Sequence, residues 1–210
     1  MLLSGLTLCP AAGHVLVIGV DGVRFDLLGP DTTPFIWGFG QAGFLAPVMI
    51  DEATPTWSGP CWATIATGAG VAEHAITRND LTGHRLADHP DFVTVATRAG
   101  LPTLLAVSGW PPLALPQDGG PMFAEASRRE FVAVAENSMA AWYEADESIT
   151  ELAAGILVTD GPRLSFVPRG RRHGRASGRR GRRLPCRGAG QRPAGGDAAC
   201  GGLGPSFVPA

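Results

Sequence analysis

The sequence predicts an α/β fold, a mostly parallel sheet sandwiched by helices, followed by a disordered C-terminal tail. Three observations predict it. Short runs rich in Val, Ile and Leu alternate with segments whose apolar residues recur at helical spacing, the pattern of a parallel sheet covered on both faces. Apolar residues make up 45% of the 210 and charged residues 17%, enough apolar material for a core. The alternation stops abruptly after Val167.

Taken in order, residues 1–13 are mildly apolar and contain no Lys or Arg. They lack the positive start of a secretory leader and count as an N-terminal extension, so the cytoplasm is the expected compartment. Residues 14–20 (HVLVIGV) have the β-branched character of a buried strand, ended by Asp21-Gly22. Residues 33–42 have helix potential, with Pro34 suited to the first turn. Residues 44–50 are a second strand candidate. Residues 58–67 form a helix opened by Ser-Gly-Pro, and residues 91–99 a helix ended by Gly100. A third strand is expected over 101–107, helices over 131–143 and 148–157, and a fourth strand beginning at 164–167 (LSFV). Residues 14–167 are thus one domain. No run of about 18 uncharged apolar residues exists, which argues against a membrane span.

The net charge of −2 conceals two different chains. Residues 1–167 hold 18 acids and 7 arginines, a net of −11; residues 168–210 hold 10 arginines and one acid, Asp197, a net of +9. The tail also carries 11 Gly and 5 Pro, and lysine is absent throughout. Such a segment buries too little apolar surface to offset its ordering entropy. Three readings compete for it: an arginine arm on nucleic-acid phosphates, a solvated tail, and translation of a GC-rich gene out of frame. The break falls inside a strand and not at a domain edge, which favours the frame change. The acidic body disfavours specific nucleic-acid binding. Four cysteines (Cys9, Cys61, Cys186, Cys200) show no CxxC pairing, hence no zinc motif and no clear disulfide framework.

Two places can carry chemistry. Asp21 directly follows the first strand, and ligands of parallel sheets bind beyond the carboxyl ends of strands. A carboxylate there suits a hard or borderline cation; Asp-Gly is equally a common turn. The second place is residues 53–68, ATPTWSGPCWATIATG. Ser58 starts a helix, where free N–H groups and the dipole favour an anion. Its hydroxyl there is either an N-cap or a nucleophile, and a nucleophilic serine needs a base or a metal.

Together VLVIGVDGVRFDLL, PTWSGPCWATIATG, EHAITRN and FVTVATRAGLPTLLAVSGW resemble the type I phosphodiesterase and nucleotide pyrophosphatase family of the alkaline phosphatase superfamily, over residues 14–167. The resemblance implies a truncated alkaline-phosphatase-like core, Asp21 as a metal ligand, and Ser58 as both nucleophile and metal ligand. Ser58 lies ten residues before Gly68 and three after Pro55, as the family motif requires. The implied cofactors are two divalent ions, usually zinc. The implied substrate is a small phosphodiester or a nucleotide pyrophosphate, cleaved through a phosphorylated Ser58.

The resemblance also has gaps. Where the family carries an Asn after the motif's Pro, this chain has Cys61, followed by Trp62. The family's later ligands, an Asp-x-x-x-His, an Asp-His and a lone His, have no counterparts beyond Val167. Asp80-x-x-x-His84 and Asp88-His89 imitate them but fall in a loop, and His74 has a packing role. Trp110 suits either the pocket mouth or packing. An inactive fragment that binds an anion weakly at the Ser58 helix is therefore the alternative reading, and a nucleic-acid module acting through the arginine tail a third.

Overall fold

The computed structural model describes residues 13–169, except 51, 53, 117 and 118. The expected N-terminal extension, up to residue 12, and the expected tail, from residue 170, lie outside the described residues. Four parallel strands, β1 (Val15–Val20), β2 (Thr103–Ser108), β3 (Arg128–Val132) and β4 (Leu164–Arg169), form one sheet in the order β1-β4-β2-β3. Among the described residues five α-helices accompany them: α1 (Pro34–Ala42), α2 (Ser58–Thr67), α3 (Val71–His74), α4 (Phe92–Arg98) and α5 (Met139–Thr159). No helix among the described residues is long and apolar enough to cross a membrane.

Alternation of side chains across the strands gives the sheet two apolar faces. Leu104, Ala106 and Val167 pack against Ile149, Ala153 and Ile156 of α5. Leu105, Val107 and Phe166 point the other way, into a larger core with Trp62 and Ala66 of α2 and Val93 of α4. The sandwich predicted from alternation is therefore present, and β2 is buried at every position. Phe166 stands at the centre of an aromatic cluster, its ring centroid 4.7 Å from Phe123, 5.2 Å from Phe92 and 5.9 Å from Trp62.

Three expected elements are different. Residues 44–50 form no strand; Phe44, Val48 and Met49 are 87%, 88% and 90% exposed. The run is apolar, but it has no neighbour to pair with. Phe131 and Val132 belong to β3 and not to a helix, paired with Val107 and Ser108 of β2. The expected pair of helices is one helix, α5, which begins where the Ser138 hydroxyl accepts the Ala141 N–H at 3.2 Å.

Loops are fixed to the helices by buried polar groups. Asp91, 2% exposed, caps α4 through the Thr94 N–H at 2.8 Å and also accepts the Ala124 N–H at 3.0 Å. His74 is fully buried. Its Nδ1 accepts the Ile76 N–H at 3.0 Å, so the proton belongs on Nε2, which donates to Thr64 Oγ1 at 3.1 Å. That bond fastens α3 to α2, in keeping with a packing role. Burial first, and then His89, hold the His74 pKa below the ordinary imidazole value, with Glu73 opposing. The unfolded chain therefore takes up this proton more readily than the folded one. The stability that neutral His74 contributes is full above about pH 6.5 and is lost as the pH falls through the lower folded value. The expected result is a Tm that drops between about pH 7 and pH 5 and drops less in His74→Gln. Equal drops would remove His74 as the cause.

Candidate functional site

The carboxyl end of β1 and the start of α2 meet at a cleft of about 740 Å³. β1 delivers Asp21 there because the strand ends at Asp21-Gly22, where Gly22 adopts φ 73°. Gly19, on the preceding turn of the pleat, lets the indole of Trp62 lie against the strand: an added Cβ would sit 2.4 Å from the ring. α2 delivers Ser58 as its first residue. The Ser58 hydroxyl donates to Asp21 Oδ2 at 2.9 Å, and both residues are half-buried. The two residues singled out from sequence thus come together from positions 37 apart.

The Ser58 hydroxyl does not cap the helix. The cap position is held by Trp57, without a side-chain cap, and the Ser58 hydroxyl is turned to Asp21. The helix start is also less open than the sequence suggests. Pro60 has no N–H, the Cys61 N–H bonds to Trp57 O, and the Gly59 N–H is taken by Asn79 Oδ1 at 2.8 Å. Close approach of the two segments requires Gly59, whose Cβ would lie 2.3 Å from the carbonyl oxygen of Arg78.

Asn79 lines the cleft and was not singled out from the sequence. Its bond to Gly59 fixes the amide orientation: Oδ1 accepts, so Nδ2 keeps two hydrogens to donate. A donor thereby stands beside Ser58 in place of the backbone N–H groups the helix start lacks. It closes the EHAITRN segment, but its place at the cleft comes from a partner 20 residues earlier.

Cys61 also lines the cleft. Burial, and then the charge of Asp21, push its thiol pKa up, and Sγ lies 3.7 Å from Pro55 O. It is a protonated, half-buried side chain and not a reactive thiolate. Trp110 packs against the larger core and does not line the cleft. The imitation ligand pairs stay in their loop. Asp80 Oδ1 accepts the Thr82 N–H at 3.1 Å, and His84 Nε2 meets Gly119 O at 2.8 Å. Asp88 is exposed.

A catalytic zinc takes three protein ligands and an open position. Among the described residues, no group of three His, Cys, Asp or Glu side chains is placed to hold a metal ion. The cleft brings together one carboxylate and one hydroxyl, so two zinc ions do not fit the described side chains.

What the arrangement can do is orient a serine hydroxyl with a carboxylate, beside an amide donor and the positive end of a ten-residue helix. That set suits an anionic group with a tetrahedral centre. Comparison with known families gives one finding: residues 15–154 match the family described as type I phosphodiesterase / nucleotide pyrophosphatase. Comparison with curated proteins gives no match.

Proposed function

Because the chain belongs to the type I phosphodiesterase / nucleotide pyrophosphatase family, we propose that the cleft is a phosphoryl-transfer site for phosphodiesters or nucleotide pyrophosphates, with Ser58 as nucleophile. The observation that carries this reading is the 2.9 Å bond from the Ser58 hydroxyl to Asp21 at the cleft. The carboxylate fixes the hydroxyl rotor and receives its proton. A bond forms between Ser58 Oγ and phosphorus, the phosphorus–oxygen bond to the leaving group breaks, and solvent protonates that group. Water then cleaves the seryl phosphoester. Asn79 Nδ2 donates to a non-bridging oxygen, where charge builds up during transfer, and the positive end of the α2 dipole favours that charge. Trp57, beside Ser58 and 54% exposed, offers an aromatic face to the organic part of the substrate.

The family chemistry implies two divalent ions, usually zinc, which when bound stabilise the attacking and leaving oxygens. The described side chains fall short of that ligand set. This shortfall favours a second reading, in which the cleft binds the phosphoryl group without turnover. A small soluble phosphodiester or nucleotide suits the cleft in either case, and neither reading calls for nucleic acid, a membrane or an address outside the cytoplasm.

Asn79→Ala separates a working site from a packing contact. Loss of one donor to developing charge is expected to lower kcat for bis(4-nitrophenyl) phosphate by about 100-fold. KM should change far less. An unchanged kcat would remove Asn79 from the site, and undetectable turnover by the unaltered chain would favour binding alone.

A further inference from the structure

We infer that the cleft selects a phosphodiester with a single negative charge and an apolar ester group, alkyl or aryl, over a nucleotide pyrophosphate. The inference rests on the cleft being the phosphoryl site proposed above, and names its substrate class.

The cleft has two unlike ends along α2. Ser58, Cys61, Trp62 and Ile65 all line it, and their spacing puts them on one stripe of the helix. At about 1.5 Å per residue the stripe runs about 10 Å from Ser58 to Ile65. Polar lining groups gather at the Ser58 end. Asp21 accepts the Ser58 hydroxyl, Asn79 accepts the Gly59 N–H, and Thr56 shortly precedes Ser58 in the chain. Beyond them the stripe offers a protonated thiol, an indole ring and the Ile65 side chain. Trp62 is buried and packs edge-on against Phe166, which also lines the cleft, so this floor is firm. Ile65 is 53% exposed, and three further lining residues, Val23, Ile50 and Trp57, are 40%, 52% and 54% exposed. These are large apolar side chains held open beside the Asp21–Ser58 pair.

Charge selects in the same direction. Among the described residues that line the cleft, Asp21 is the one with a formal charge, and residues 1–167 carry a net of −11. A diester brings a single negative charge to this carboxylate. A nucleotide pyrophosphate brings more than one, and like charges at short range repel. Its second phosphate and its base would also lie along the stripe, where they would give up water without hydrogen-bond partners. An alkyl or aryl group buries apolar surface there instead. The cleft volume of about 740 Å³ is that of a small-ligand site, which ordinarily sets a few convergent polar groups on a mainly apolar wall.

Isothermal titration calorimetry of the full chain with diethyl phosphate, dibutyl phosphate and ADP tests this. A buried methylene is worth about fourfold in affinity. With about half of the added methylenes covered in an open cleft, dibutyl phosphate should bind at least about tenfold more tightly than diethyl phosphate. ADP should bind at least about tenfold more weakly than dibutyl phosphate. Ile65→Ser, at an open position of α2, should cut the dibutyl-to-diethyl ratio at least about threefold. Ile50→Ser serves as the readout if circular dichroism shows Ile65→Ser unfolded. Equal affinity for the two diesters would leave the phosphoryl site standing and overturn the apolar selection alone, as would ADP binding as tightly as dibutyl phosphate. A ratio unchanged in the folded variant would place the alkyl contact outside this cleft and overturn the inference equally. Binding of none of the three would remove the phosphoryl site and the inference with it.

Discussion

Ser58→Ala is expected to lower kcat/KM for bis(4-nitrophenyl) phosphate by at least about 1,000-fold, the scale on which a covalent nucleophile is missed. The reason is local. Ser58 is the hydroxyl at the cleft that a carboxylate orients, at 2.9 Å. The neighbouring thiol is no substitute, because burial and Asp21 keep Cys61 protonated. The fold should tolerate the change: one hydrogen bond of a half-buried residue is removed, which costs about 1 kcal/mol of stability. Release of 4-nitrophenolate and a urea melt, taken on the same preparation, separate the two effects. A variant with more than a tenth of the original rate and an unchanged melt would mean that Ser58 is a structural residue.

The largest stability effect is expected from Phe166→Ala. Phe166 is fully buried on β4, strand-paired between β1 and β2, and touches three other aromatic rings. Truncation removes the ring from sheet and helices at once and leaves a cavity that α2 and α4 cannot close without moving. Such changes cost about 3–5 kcal/mol, a large part of the 5–15 kcal/mol that domains typically hold. The urea midpoint should fall with the slope unchanged. Because Phe166 also lines the cleft, activity should fall even where the variant is folded. A midpoint shift of under about 1 kcal/mol would mean that the cluster is more plastic than its ring geometry implies.

The parts of the fold legible in the sequence were those with one unambiguous period. HVLVIGV, the run after Gly100 and LSFV were each short, apolar and bounded by turn residues, and each is a strand, though β4 runs on to Arg169. Residues 44–50 have the same composition, but a strand needs a neighbour, and none pairs with them. β3 escaped notice for the opposite reason. It is an outer strand that opens with Arg128, Arg129 and Glu130, tied by ion pairs such as Arg128 to Glu130 at 2.8 Å, so its short apolar end read as the start of a helix. Glu144 and Glu147, between the two expected helices, lie on the exposed side of the single helix α5.

The site was legible one residue at a time. Asp21 stood out as the residue after a strand and Ser58 as the residue opening a helix. Their contact depends on the chain returning over 37 residues, which no local pattern encodes. Asn79 sits in an exposed turn and acquires its place only through the Gly59 N–H. The imitation ligands show the converse. Asp80 and His84 have attractive spacing, but their side chains bond to the loop and its neighbour.

In the proposed reaction the Asp21–Ser58 pair takes a phosphoryl group onto Ser58. Mass spectrometry tests it most directly: the full chain is incubated with bis(4-nitrophenyl) phosphate, quenched in acid and digested. A 4-nitrophenylphosphoryl adduct is expected on the peptide containing Ser58, absent from Ser58→Ala. No adduct on that peptide, or an adduct on another residue that survives in Ser58→Ala, would contradict it.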